Sequence, residues 1–124
     1  MKARHLPLQS AVIFGGFDEG EAKKIRALND RCGYKSIEAG ANLGGASIKS
    51  ILAGKPDSND TQMLDERFLI INGGGANAAR LMDLVKSEGI EVSLRAMVTL
   101  HSQEWALNTL ITELISEQRE LGGK

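Results

Sequence analysis

The residues best placed to carry chemistry sit in one stretch, Phe68 to Arg80, where an apolar run enters three glycines and leaves as a helical pattern. Residues Gly73 to Ala78 read Gly-Gly-Gly-Ala-Asn-Ala and fit G-x-G-x-x-A. Glycines there let backbone N–H groups approach a phosphate, and the start of the following helix favours an anion. Asn72, Gly73, Gly74, Gly75 and Asn77 are therefore candidate ligand-binding residues. Arg95 follows about 20 residues on, where a dinucleotide site holds a ribose hydroxyl with an acid and an arginine would instead meet a 2′-phosphate. A weaker copy of the turn, from Val12 to Asp18, adds Gly15, Gly16 and Asp18. Thr99 at the end of the next strand pattern, with His101 and Trp105 after it, completes the candidate set.

Several chemistries find little or no support in the residues. A dinucleotide fold would need the missing acid and a larger sheet. A phosphoacceptor receiver domain would need acids at the ends of the first and third strands, yet the third ends in Asn72. His5 and His101, with one cysteine, make no metal set. There is no G-x-S-x-G elbow. Cys32 falls on the apolar face of a helix pattern and reads as a small core residue rather than a nucleophile. No catalytic residue and no cofactor are assigned.

Composition bounds the rest. At 124 residues the chain fits one domain, large enough to bury roughly two-thirds of its unfolded surface. Aromatics make up only 4%, so the core must be aliphatic. The formal net charge is −1 with no basic cluster, which argues against nucleic acid as a partner. No apolar run approaches the roughly 20 residues of a membrane span. The single cysteine forbids an internal disulfide and suits a reducing compartment. Pro7 interrupts the region where a leader's apolar run would lie. A cytoplasmic setting is expected.

The elements that must position the candidates alternate β and α. Residues 1–10 read as a tail. Ala11 to Phe14 is a continuous apolar strand, followed by a helix from about Glu19 to Arg31 with Asp18 and Glu21 as a capping box. Ala22, Ile25, Leu28 and Cys32 share its inner face, and Gly33 ends it. Tyr34 to Ala39 alternates, as an edge strand does. A short helix spans Ser47 to Ala53, and residues 55–66 form a polar loop. The second half repeats the plan: a strand from Arg67 to Ile71, a helix from Ala76 to Glu88, an alternating strand from Ile90 to Thr99, and a last helix capped by Ser102. In the long strand Val92, Leu94, Ala96 and Val98 oppose Ser93, Arg95, Met97 and Thr99.

The expectation is one small three-layer α/β domain, residues 11–124, made of βαβα halves 11–54 and 67–121. The two continuous apolar strands should be central and the alternating strands at the edges, giving a mostly parallel four-stranded sheet of order 2-1-3-4. That order puts a topological switch point between strands one and three, with both glycine turns at one crevice. An antiparallel centre with local two-fold symmetry is the structural alternative. The halves also match at an offset of about 56 residues, Ala22 with Ala78 and Gly33 with Gly89, which is the pattern of an internal duplication.

The last third carries a resemblance. Ala96, Thr99 and Trp105, with the Leu-rich helix pattern after them, resemble a family of small bacterial domains catalogued as a domain of unknown function. The family pattern is a strand ending Ala-Val-hydrophobic-Thr, then Pro-Thr-Asn, two residues, Trp and a Leu-rich helix. This chain departs from it at Leu100-His101-Ser102. The resemblance is best over residues 68–120 and implies no activity.

The function expected is a non-enzymatic binding or interaction module with a glycine-lined crevice. Its partners would be a second copy of the chain, as a dimer, and a small anionic ligand. The alternative is a nucleotide- or phosphometabolite-binding enzyme or sensor.

Overall fold

A computed structural model describes residues 10–39, 45–55, 66–73, 75–99 and 102–122. Residues 1–9 of the expected tail, most of the 55–66 loop, Gly74 and His101 lie outside these residues. The elements in order are β1 (Ala11–Gly15), α1 (Glu19–Arg31), β2 (Lys35–Glu38), α2 (Ile48–Leu52), β3 (Phe68–Asn72), α3 (Gly75–Ser87), β4 (Leu94–Met97), a 3-10 turn (Ser102–Glu104) and α4 (Leu107–Gly122).

The four strands form one sheet in the order β2-β1-β3-β4, with the continuously apolar strands at its centre. β1 pairs with β2 in parallel, and β3 with β4 in parallel. The central pair is antiparallel, Ala11 opposite Asn72 and Gly15 opposite Phe68. The sheet is thus mostly parallel within its halves and reversed at the middle. Burial on both faces makes a strand continuously apolar whichever way its neighbour runs, so the run signalled position but not direction.

Alternate side chains of each central strand face opposite layers. Val12, Phe14, Leu69 and Ile71 pack with Ile25 and Leu28 of α1 and Leu81 and Val85 of α3. Ala11, Ile13, Phe68 and Ile70 pack on the other face with Ile48, Ile51 and Leu52 of α2 and Leu107, Leu110 and Ile111 of α4. Ile13 and Ile70 face each other in register and are wholly buried; each such side chain stabilises the fold by about 1.5–3 kcal/mol.

The local signals behave as expected at α1. Asp18 accepts from the Glu21 backbone N–H at 2.7 Å, and the Glu21 carboxylate accepts from the Asp18 N–H at 3.3 Å, which closes the capping box. Gly33 follows in the left-handed region, φ 83°.

Two expectations are corrected. The last strand is shorter than Ile90–Thr99, because Ile90 donates to the Val85 carbonyl and turns under α3. Ser93 and Leu94 then both donate to the Arg67 carbonyl, and the ladder starts there. Ser102 does not cap the last helix, which begins at Leu107. Its hydroxyl instead accepts from the Thr99 backbone N–H at 3.0 Å, while the Thr99 hydroxyl accepts from the Ser102 N–H at 3.0 Å.

The halves also meet on the α2/α4 side through a reciprocal pair of bonds. Ile48 N–H donates to the Trp105 carbonyl and Leu107 N–H to the Ala46 carbonyl, both at 2.8 Å, around the Ser47–Ala106 bridge.

Candidate functional site

The antiparallel centre separates the two glycine turns. Gly15 and Gly16 leave β1 at the end where β3 begins, whereas Gly73 leaves β3 at the end where β1 begins. The expectation of one crevice lined by both is therefore corrected. Gly15, Gly16 and Asp18 lie at one end of the sheet; Asn72, Gly73, Gly75, Asn77 and Thr99 lie toward the other.

At the first end the glycines serve the chain itself. A Cβ on Gly16 would stand 2.1 Å from the Glu66 carbonyl oxygen, and Gly16 holds φ +85°. A Cβ on Gly15 would meet the Phe68 ring at 2.9 Å. The close backbone approach that a phosphate would exploit is filled by the strand entering β3. The charges around it pair with one another. Arg67 bonds Glu21 at 3.2 Å and lies 5.9 Å from the centre of the Phe17 ring. Arg26 pairs with Glu38 and lies over Phe14. Asp18 is occupied as the helix cap.

At the second end Gly73 has φ +82°, and a Cβ there would meet the Ser10 hydroxyl at 3.0 Å. Its carbonyl accepts the Tyr34 hydroxyl at 2.9 Å. Burial, with the neighbouring Cys32 as a lesser cause, pushes the Tyr34 phenol above its ordinary range. The Tyr34 proton is therefore held as a donor to this turn. α3 starts two residues after Gly73, with no acid in its first turn, and Asn77 is exposed on it. Thr99 is tied to Ser102. Trp105 is half-buried against the α2/α4 core and acts as an anchor between halves. Among the described residues no group of three or more His, Cys, Asp or Glu could hold a metal ion. No described helix is long and apolar enough to cross a membrane.

The concave surface lies elsewhere, along β4. A groove of about 460 Å³ runs on the α3 side, where Met82, Val85, Ile90 and Val92 supply apolar walls and Lys86 and Arg95 the cations. A second, of about 230 Å³, lies on the α4 side between Leu94, Leu114 and Glu117. Ser93 and Arg95 line both. Among the described candidates, Arg95 lines both of these grooves. Met97, two residues on, is 43% exposed, the exposed large hydrophobic among the described residues. The sequence carried a signal for it: a methionine among Ser93, Arg95 and Thr99 on the polar side of an alternating strand.

The second half, which carries these grooves, is also the part that resembles other proteins. Residues 67–121 match DUF3783, a domain of unknown function. The match spans β3 to α4 and so bears out the resemblance read over residues 68–120. No curated protein and no solved structure matches the chain.

Proposed function

We propose that the chain is a non-enzymatic interaction module whose contact surface is the outer edge of β4. The observation that carries this is the exposure of Met97 on a strand edge flanked by two grooves that share Ser93 and Arg95. An open edge offers a row of unpaired N–H and C=O groups, which a protein partner can pair with. The opposite edge, β2, is less inviting: it carries Lys35 and Glu38, and Glu38 is held by Arg26. A cytoplasmic setting and a homo-oligomeric state go with this reading, as does an origin by internal duplication. The reciprocal Ile48–Trp105 and Leu107–Ala46 bonds support the duplication.

The test is site-specific photo-crosslinking in cells, with the reactive side chain at position 97 and, as control, at position 38. Protein adducts from 97 alone support the reading. Equal labelling at both positions, or none at 97, sinks it.

A second reading is favoured by one observation: α3 is a 13-residue helix that starts from a glycine turn with no acid in its first turn. Such a terminus suits a small anionic ligand, a nucleotide or phosphorylated metabolite. A thermal-shift screen with nucleotides and sugar phosphates separates the two. A ligand-dependent rise in melting temperature that Asn77→Asp abolishes would favour the second reading.

A further inference from the structure

We infer that the partner of the β4 edge is a second copy of this chain, paired antiparallel about a two-fold axis through Ala96. This rests on the β4 edge being the contact surface.

The argument begins with which backbone groups point outward. Leu94 N–H donates to the Arg67 carbonyl and Val98 N–H to the Ile71 carbonyl, so the even-numbered residues of β4 face β3. Alternation leaves the N–H and C=O groups of Arg95 and Met97 directed away from the sheet. In an antiparallel pair centred on Ala96, Arg95 of one copy stands opposite Met97 of the other. Among the described residues no backbone partner meets the outward groups of these two, and in this register they exchange four hydrogen bonds. Ala96 meets its own copy at the close, non-hydrogen-bonded position, where a small side chain is wanted.

Side-chain chemistry agrees with that register. On the α4 face Leu94 stands opposite Val98 of the other copy, an apolar pair on each side of the two alanines. On the α3 face Arg95 and Met97 lie on the same side as Leu69 and Ile71, their register partners. Arg95 of one copy is thereby set against Met97 of the other, not against a second arginine directly opposite. The Met97 side chain of each copy is carried over the partner's groove, onto Met82, Val85, Ile90 and Val92. Within one chain the exposed methionine lies two residues beyond that groove's Arg95 rim; a second copy in this register brings knob and groove together. The product is a continuous eight-stranded sheet with β2 at both ends.

The test uses the full-length chain. Light scattering coupled to size exclusion is expected to give twice the chain mass. Met97→Lys, and Arg95→Pro, which removes an outward N–H, are expected to give the chain mass with circular dichroism unchanged and a melting temperature that no longer rises with protein concentration. Register is read by Ala96→Cys in a Cys32→Ala background: mild oxidation should link nearly all of it as a dimer, whereas Lys35→Cys on β2 should stay unlinked. A wild-type chain that is monomeric at every concentration overturns the inference. So does a dimer that survives both β4 variants and fails to crosslink at position 96. A monomer whose position 97 photo-crosslinks to a different protein overturns the second copy as partner while leaving the edge as the contact surface.

Discussion

The Tyr34 hydroxyl donates to the Gly73 carbonyl at 2.9 Å, and so the first residue ahead of β2 holds the turn that leaves β3. The bond joins the two halves of the chain across the sheet end, on a buried tyrosine that sequence reading assigned only to an alternating edge strand. Replacing Tyr34 with Phe removes the donor and leaves the carbonyl without it. A loss of about 1–3 kcal/mol is expected, read as a lower urea midpoint at unchanged slope.

The same tyrosine sets an alkaline limit. Its phenol is raised in the folded chain, so the folded state holds the proton more tightly than the unfolded state does. The stabilisation is fully present below the unfolded value of about 10 and is lost as pH rises through the higher folded value. Urea midpoints measured across that range should fall for the native chain, and the Tyr34→Phe variant should show a shallower fall. Parallel curves for the two would remove Tyr34 as the cause.

Glycine substitutions should rank by what the added Cβ meets. At Gly16 it would lie 2.1 Å from a carbonyl oxygen on backbone that cannot swing aside. Gly16→Ala is therefore expected to cost more than about 3 kcal/mol, clash added to left-handed strain. At Gly33 nothing lies within 4 Å; Gly33→Ala carries only the strain, about 1–2 kcal/mol. Gly73→Ala should fall between, because its neighbour is the movable Ser10 hydroxyl. Thermal denaturation of the three variants gives the order.

Asn29 offers a different kind of test. It is wholly buried, its amide nitrogen donates to the Ser36 hydroxyl at 2.9 Å, and its Oδ1 has no hydrogen-bond partner among the described residues. Ser36→Ala would leave both ends of the amide unpaired and should cost about 1–3 kcal/mol. Asn29→Leu removes the unpaired acceptor together with its donor and should come within about 1 kcal/mol of the native chain. The reverse order of denaturation midpoints would show that the amide finds a partner through water.

Much of the scaffold was legible. Continuous apolar runs marked β1 and β3 as central, alternation marked β2 and β4 as edges, and Asp18 with Glu21 announced the start of α1. The direction of β3 was not. Residues 55–66 link the halves, and a linker of that length can return a strand either way, so the parallel choice rested on the habits of βα repeats. That one choice set the two glycine turns side by side on paper and at opposite ends in the fold. The glycines misled for a related reason. Backbone approach to a phosphate and backbone approach to Glu66 demand the same missing side chain, and sequence records only that it is missing. The grooves beside β4 arise where Ile90 turns under α3 and shortens the strand, a tertiary event without a local pattern.

The antiparallel centre has one more consequence. Its Ile13–Ile70 seam is the joint that two separate polypeptides would make, and the DUF3783 match begins and ends with only one side of it. A molecule built from that segment alone would carry β3 with its inner margin bare and would depend on concentration to find a cover. Here residues 11–55 are that cover, tethered to the same backbone. Covalent linkage turns the encounter into an intramolecular event, so dilution cannot undo it. The two margins of the finished sheet differ among the described residues: β2 carries Lys35 and Glu38, and β4 exposes Met97.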